Sequence, residues 1–140
     1  MPNNGAPPMK KILVIDDEPL LLDLLSHLLS RIGYLVDRAV DGREAAGKLK
    51  EGDYDLLFLD IKMPFMNGKD FYLKIKEYAP HLARRIIFLT ADLASKETFD
   101  FIQESGNLQL QKPFTIKEVK NLLETFFKMD GCSGQTQKSL

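Results

Sequence analysis

The chain has 140 residues, of which 44% are hydrophobic and 28% are charged, and its formal net charge is −1. This size and balance predict a single soluble globular domain, and the lack of a basic excess argues against direct binding of nucleic acid or an anionic membrane. No apolar run approaches the roughly 20 residues of a membrane span, and the single cysteine, Cys132, excludes an internal disulfide and favours a reducing, cytoplasmic location.

The two ends of the chain differ in composition from its middle. Residues 1–9 lack a charged region followed by an apolar core, so we expect a flexible leader and not a signal peptide. Residues 130–140 are rich in Gly, Ser, Gln and Lys, which predicts a disordered tail or the start of a linker. The folded domain is therefore predicted to span residues 10–129.

Strand-like and helix-like segments alternate five times along this domain. The predicted strands are 11–16, 34–40, 55–60, 85–90 and 108–111, and the predicted helices are 20–32, about 42–50, 69–78, 95–104 and 115–128. Gly33 is expected to end the first helix, and Thr115 is a favourable N-cap for the last. Regular alternation of this kind predicts an α/β fold in which a parallel sheet carries helices on both faces.

The composition of the strands suggests their order in the sheet. Strands one, three and four are continuously apolar, as expected for strands buried on both faces, whereas strands two and five mix apolar and polar residues and suit the edges. The predicted order is therefore 2-1-3-4-5, the doubly wound, flavodoxin-like arrangement. In that order the crevice lies at the carboxyl ends of strands one and three.

Four predicted strands each end in a polar side chain suited to phosphoryl chemistry. Asp16 and Asp17 follow strand one, Asp60 ends strand three, Thr90 ends strand four and Lys112 follows strand five. Because the carboxyl ends of parallel strands share one rim, three carboxylates, a hydroxyl and an ammonium are expected to converge. Taken singly, the threonine could be a turn residue and the lysine a surface residue, so their assignment depends on the whole set.

The three aspartates predict a divalent-cation site and a nucleophile. Asp60 follows the most apolar strand and is the candidate nucleophile, because a carboxylate can attack phosphorus to form an acyl phosphate. Adjacent carboxylates are unfavourable without a cation, and Mg²⁺ prefers oxygen ligands, with Mn²⁺ as a substitute ion. We expect Asp17 and Asp60 as direct ligands, Asp16 as a direct or water-mediated ligand, and the backbone carbonyl of Lys62 as a fourth oxygen.

The hydroxyl and the ammonium would bind the phosphoryl group itself. Thr90 can donate to a phosphoryl oxygen, and the small Ala91 beside it leaves access. Lys112 would pair with Asp60 when that residue is free and with a phosphoryl oxygen when it is not. The bond between Lys112 and Pro113 lies in a tight turn that must direct the lysine inward, where a cis X–Pro bond is expected.

Together, these residues resemble the receiver domains of two-component response regulators over roughly residues 10–129. The motifs are Ile-Leu-Val-Ile-Asp-Asp-Glu from residue 12, Leu-Asp-Ile-Lys-Met-Pro around Asp60, Leu-Thr-Ala at Thr90 and Lys-Pro-Phe at Lys112. The resemblance implies that Asp60 accepts a phosphoryl group from a sensor histidine kinase or a histidine phosphotransfer protein. It also implies Mg²⁺ on the three aspartates, phosphoryl binding by Thr90 and Lys112, and catalysis only of the domain's own phosphorylation and dephosphorylation.

Two features concern how such a domain would be modulated. The family usually has Tyr or Phe three residues before the lysine, but here that position is Gln109, so the output is expected to use loop and helix movement alone or onward phosphotransfer. Lys62 and Asp92 flank the expected phosphoryl site with opposite charges. They are expected either to meet across its mouth and hinder an attacking water, or to remain two independent solvated side chains.

Other functions remain open from the sequence. A Mg²⁺-dependent phosphatase with an aspartyl nucleophile generally carries a second Asp two residues later, where this chain has Lys62. A nucleotide- or flavin-binding domain would need a glycine-rich loop after strand one, which is lacking. The chain could also be a receiver segment of a hybrid sensor histidine kinase, or a receiver that serves only as a docking surface.

An association surface is also predicted. The resemblance implies that the fourth helix, fifth strand and fifth helix form a face through which two copies could pair or a partner could bind. Four phenylalanines in these helices, Phe99, Phe101, Phe126 and Phe127, cannot all point inward, so one exposed aromatic is expected on this face.

Overall fold

The structure is a computed structural model that describes residues 9–63, 67–91 and 95–131. The strands are β1 (Lys11–Ile15), β2 (Leu35–Ala39), β3 (Leu56–Asp60), β4 (Ile86–Thr90) and β5 (Gln109–Gln111). The helices are α1 (Pro19–Ile32), α2 (Gly42–Glu51), α3 (Gly68–Tyr78), α4 (Pro80–Ala83), α5 (Lys96–Ser105) and α6 (Ile116–Gly131). None of the helices in these ranges is long and apolar enough to cross a membrane.

The five strands form one parallel sheet in the order β2-β1-β3-β4-β5. This confirms the predicted α/β fold and strand order. The continuously apolar strands β1, β3 and β4 occupy the interior, where helices cover both faces, and the mixed strands lie at the edges.

The predicted elements differ from the observed ones mainly at their ends. Each of the five strands is one residue shorter than predicted at one or both ends. Helix α6 continues to Gly131, past the residue at which the tail was predicted to begin. The short helix α4 was not predicted. It forms because Pro80, at its first position, needs no backbone partner for its nitrogen, while the Ala83 amide donates to the Ala79 carbonyl at 3.1 Å.

Local signals explain where several helices begin and end. Thr115 and Glu118 form a reciprocal capping box at the start of α6, with amide-to-side-chain distances of 3.1 and 2.8 Å. At α2 the Glu44 amide donates to Asp41 Oδ1 at 2.9 Å, while Glu44 Oε1 accepts from the Val40 amide at 2.8 Å. Gly33 ends α1 with a left-handed φ of 118°, as its position in the sequence predicted.

Side chains alternate across the sheet and produce two hydrophobic cores. Odd-numbered residues of β1, such as Leu13, pack with β3, β4 and helices α2, α3 and α5. Even-numbered residues, such as Ile12, pack with Phe58 against α1 and α6. The interior strands are thus fixed from both sides, so the residues at their carboxyl ends have little freedom to move.

Candidate metal and phosphoryl site

The structure brings all five predicted residues to one rim. Asp16 directly follows β1, Asp60 ends β3, Thr90 ends β4 and Lys112 directly follows β5, while Asp17 is exposed beside them. Asp16, Asp60 and Thr90 are 0%, 6% and 2% exposed. Polar side chains this deeply buried, at the carboxyl edge of an apolar sheet, form a preorganised site rather than a solvated surface.

Backbone pairing past the strand ends holds these residues in register. The Asp16 amide donates to the Ala39 carbonyl at 3.1 Å, and the Lys112 amide donates to the Thr90 carbonyl at 2.8 Å. The Ile61 amide donates to the Leu89 carbonyl at 3.2 Å. The rim is therefore an extension of the sheet, which positions its side chains more accurately than a free loop would.

Asp16, Asp17 and Asp60 each offer one carboxylate oxygen, and these oxygens all lie within 4.8 Å of one another. The Glu18 amide donates to Asp16 Oδ1 at 2.9 Å, and the Lys62 amide donates to Asp60 Oδ1 at 3.2 Å. Among the described residues, the buried Asp16 Oδ2 accepts no hydrogen bond. Hard oxygen donors in this number fit Mg²⁺, which binds through a few carboxylates and retains waters.

Lys112 contacts the carboxylates of the rim through its side-chain ammonium. Its Nζ lies 2.8 Å from Asp16 Oδ2, 3.1 Å from Glu18 Oε1 and 3.4 Å from Asp60 Oδ2. The contact with Asp16 is an ion pair without hydrogen-bond geometry, whereas Glu18 accepts a hydrogen bond from Nζ. The Lys112–Pro113 bond is cis, as expected.

The electrostatics of the rim follow from burying more negative than positive charge. Burial, then the neighbouring Asp16 carboxylate, raises the pKa of Asp60 to about 7, although Lys112 opposes this effect. Burial also raises the pKa of Asp16. Burial lowers the pKa of Lys112, but its close contacts with the surrounding carboxylates, Asp16 foremost, outweigh it and raise that pKa overall. The metal-free rim thus favours uptake of either a proton or a cation.

A cavity of about 490 Å³ opens over these groups. Its lining includes Asp17, Asp60, Thr90, Ala91 and Lys112. Asp60, Thr90 and Lys112 therefore border one accessible space. That space is large enough for a phosphoryl group with its metal and waters, and it is open to a larger donor.

Two residues with a part in this geometry were missed from the sequence. Gly68 packs so closely against the loop after β3 that a Cβ there would lie 2.3 Å from the Asp60 carbonyl oxygen. The Gly68 amide donates to the Ile61 carbonyl at 2.7 Å, which folds the loop back on itself. No contact between Glu18 and Lys112 follows from the sequence pattern, yet the Glu18 side chain accepts a hydrogen bond from Lys112 Nζ. Of these two residues, only Gly68 could have been noticed in the sequence, because a glycine at the end of a loop indicates a close approach of the backbone.

The modulating positions are only partly described. Gln109 pairs with Phe88 across the β4–β5 ladder and is half-buried on the face covered by α5. Its Oε1 is buried and accepts no hydrogen bond from the described residues. Lys62 is exposed. Asp92 lies outside the described residues, so the predicted approach of Lys62 to Asp92 stays a prediction. The placement of the Lys62 carbonyl toward a metal stays a prediction.

Comparison with known proteins identifies a family and several relatives. A model of the response regulator receiver domain family matches residues 12–124. The probable transcriptional regulatory protein TcrX of Mycobacterium tuberculosis is 31% identical over 120 residues, which make up 86% of this chain and 50% of that protein. The sensor protein EvgS of Escherichia coli is 37% identical over 117 residues, 84% of this chain and 10% of that protein. The chain thus spans about half the length of the first relative and about a tenth of the second.

Solved structures with the same fold include two response regulators. The chemotaxis response regulator CheY4 of Vibrio cholerae is 30% identical, with a TM-score of 0.76 over 85% of this chain and 99% of that one. The response regulator protein TrrA of Thermotoga maritima, solved in complex with Mg²⁺-BeF, is 35% identical, with a TM-score of 0.74 over 84% of this chain and 99% of that one.

Proposed function

This chain belongs to the response regulator receiver domain family, and we propose that it accepts a phosphoryl group on Asp60 from a phosphohistidine of a partner protein. The partner would be a sensor histidine kinase or a histidine phosphotransfer protein acting in the cytoplasm. The observation that supports this most directly is the position of Asp60. Its buried carboxylate shares a cation-sized cluster with Asp16 and Asp17 and lies 3.4 Å from Lys112 Nζ.

In the proposed reaction, one Asp60 carboxylate oxygen attacks phosphorus. The phosphorus–nitrogen bond of the phosphohistidine breaks, and the imidazole leaves with the bonding electron pair and takes up a proton. Negative charge develops on the three equatorial oxygens, and preorganised donors at that position lower the barrier. Lys112 Nζ and the Thr90 hydroxyl line the same cavity and would supply these donors.

Asp16, Asp17 and Asp60 would hold Mg²⁺, with Mn²⁺ as a substitute, and the bound ion would neutralise charge on the phosphoryl oxygens. Without it, the excess of carboxylates would repel a phosphodonor, since one ammonium contacts three of them. The acid cluster and Lys112 therefore have separate tasks. The acids retain the cation, and the lysine directs one N–H group at the site of transfer.

The test is phosphorylation by a small donor. We expect the protein incubated with acetyl phosphate and Mg²⁺ to gain one phosphate by intact mass, and Asp60→Ala to gain none. Asp53→Ala is a matched control, because Asp53 is an exposed acid ahead of the same strand. Failure of the wild type to gain phosphate, or an unchanged gain on Asp60→Ala, would contradict the proposal.

The rival function, a Mg²⁺-dependent phosphatase, has less support. Such an enzyme needs an acid/base two residues after its nucleophile, where Lys62 stands, and the Lys62 amide donates to Asp60. Catalytic turnover of a chromogenic phosphate ester by the wild type, lost on Asp60→Ala, would favour the phosphatase instead.

The output of the domain depends on positions that differ from the family pattern. With Gln109 in place of an aromatic residue, we propose that the signal passes through the loop after β4 and helix α5, or by phosphotransfer to another protein. Ala91, Lys62 and Asp92 are proposed to tune access of water to the phosphoryl group. Because the relatives include both a regulator and a sensor protein, the chain would serve equally as a receiver segment of a hybrid kinase.

Pairing of two copies is proposed for the face formed by α5, β5 and α6. Phe99 of α5 is 47% exposed, which supports an association surface there. Phe126 is buried, and Phe127 stacks on Tyr34 at the other side of α6. Phe99 is thus the phenylalanine among these residues that is free to contact a partner.

A further inference from the structure

We infer that Glu18 is a positioning residue that competes with the phosphoryl group for Lys112 and so limits the rate at which Asp60 is phosphorylated. The inference rests on the function proposed above. It concerns a side chain that neither binds the cation in that proposal nor reacts, and that acts on the reaction through the lysine.

The geometry around Lys112 supports this role. Its ammonium has three N–H groups, and three carboxylates lie within 3.4 Å of Nζ. Glu18 Oε1, at 3.1 Å, is nearer than Asp60 Oδ2 and accepts a hydrogen bond. A phosphoryl oxygen on Asp60 would need an N–H group directed into the cavity, and Glu18 occupies one of the three available.

The backbone fixes Glu18 in this place. Its amide donates to Asp16 Oδ1 at 2.9 Å, and its carbonyl accepts from the Leu22 amide at 3.0 Å as α1 begins. Glu18 stands at the N-cap position of α1, and its side chain makes no capping hydrogen bond to the described part of that helix. The side chain instead turns back over the rim to Lys112, whereas a side-chain acceptor at this position normally caps its own helix.

Burial decides whether Glu18 supports Lys112 or competes for it. The Lys112 side chain is only 12% exposed and is anchored by the fully buried Asp16 at 2.8 Å, so it keeps its place without Glu18. The Glu18 side chain is 62% exposed, so it can exchange this contact for water at little cost. We therefore expect its loss to free an N–H group without releasing the lysine.

Three variants test the inference with acetyl phosphate and Mg²⁺. Glu18→Gln should raise the phosphorylation rate constant roughly two- to fivefold, the range that an exposed ion pair is worth. Glu18→Asp retains the charge but shortens the side chain and favours capping of α1, so it should be faster by a similar factor. Glu124→Gln, an equal change of charge at an exposed site on α6, should leave the rate unchanged.

A second measurement follows Lys112 directly. The ¹⁵N resonance of the Lys112 ammonium in the metal-free protein should shift in both Glu18 variants and not in Glu124→Gln. A Glu18→Asp rate equal to wild type, beside a faster Glu18→Gln, would mean that Glu18 only repels the donor and would overturn the inference. Unchanged rates or an unchanged Lys112 signal in both Glu18 variants would also overturn it. If the wild type itself gains no phosphate, the proposed function fails instead.

Discussion

Two clusters of lysine and acid lie at opposite ends of the sheet and differ in charge balance. Near the amino ends of the strands, the Tyr54 hydroxyl donates to Asp37, Lys11 Nζ lies 3.7 Å from Asp37, and the Lys11 amide donates to Asp55 at 2.8 Å. At the carboxyl ends, one lysine contacts three carboxylates. The first cluster sets two partly exposed acids against one lysine, whereas the second sets three acids against one lysine and buries two of them, so its negative charge is in larger excess.

This difference indicates that the cluster at the amino ends stabilises the fold, whereas the cluster at the carboxyl ends is suited to binding a ligand. A satisfied cluster stabilises the fold, because each buried polar group has replaced its water with a partner. A buried excess of one charge destabilises the fold until a ligand of the opposite sign arrives. We expect substitutions that relieve the rim to stabilise the metal-free protein, and equivalent substitutions at the amino end to destabilise it.

The largest expected effect comes from a glycine at the rim compared with one at the other end. Gly68→Ala should lower the free energy of unfolding by about 3 kcal/mol, because its Cβ would overlap the backbone of Asp60 and Ile61, which cannot move independently of the sheet. Gly52→Ala should change it by less than about 1 kcal/mol, since its Cβ would lie 3.4 Å from the flexible end of Lys11. Urea denaturation measures both.

Equal decreases in the free energy of unfolding of Gly68→Ala and Gly52→Ala would show that the tight packing of Gly68 under Asp60 does not contribute to stability. The same pair also reports on the site. Weaker Mg²⁺ binding in Gly68→Ala alone would be expected, because the loop after β3 would shift and take Asp60 with it.

Smaller changes in the free energy of unfolding are expected for substitutions of Asp60 and Asp37, and the two changes should have opposite signs. Asp60→Asn should stabilise the metal-free protein at pH 8 by roughly 2 kcal/mol, since it removes a buried charge that its neighbours oppose. Asp37→Ala should destabilise it by about 1–2 kcal/mol, because the hydroxyl of the buried Tyr54 loses its acceptor. Denaturation of both variants in EDTA measures this contrast, which a loss of stability in Asp60→Asn would refute.

The smallest expected effect is the change of folding stability with pH. The pKa of Asp60 is raised to about 7, so the unfolded chain loses this proton near pH 4 and the folded chain near pH 7. The stability that this carboxyl contributes is therefore present below pH 4 and is lost as pH rises through 7. Between pH 5 and 8 the metal-free wild type should lose on the order of 1 kcal/mol relative to Asp60→Asn.

Addition of Mg²⁺ should reverse this loss at pH 8, because the ion binds the folded state and displaces the proton. Thermal denaturation at both pH values, with Mg²⁺ and with EDTA, measures the effect. Parallel pH profiles for wild type and Asp60→Asn would show that the Asp60 carboxyl is not perturbed by its surroundings.

The sequence was sufficient for the parts of the structure that depend on strand patterns. Apolar runs of four residues identified the interior strands, and the polar residues that end them, such as Asp60 and Thr90, identified the rim. The strand order followed from the same pattern, because burial on both faces leaves no polar positions within a strand. Convergence of Asp16 and Lys112 then required only that parallel strands share one edge.

The remaining features depend on side-chain direction and close packing, which sequence spacing does not contain. Glu18 suited the start of a helix equally well with its side chain in solvent, and only the observed position of Lys112 shows where it turns. Gly68 resembled an ordinary loop glycine until its distance from Asp60 was known. The helix α4 was not predicted, because a proline after a helical segment usually signals the end of that helix, and sequence spacing does not show that it begins a further turn.

The sheet order also determines when the acceptor becomes complete during synthesis. Asp16 and Glu18 are synthesised before their lysine, which follows β5, the strand at the edge beside β4. Until residue 112 is synthesised, a nascent chain therefore carries these acidic residues without the ammonium that is proposed to bind the transferred group. The domain would be able to accept a phosphoryl group only once β5 and Lys112 are in place. A chain that lacks them would therefore compete poorly for the phosphodonor.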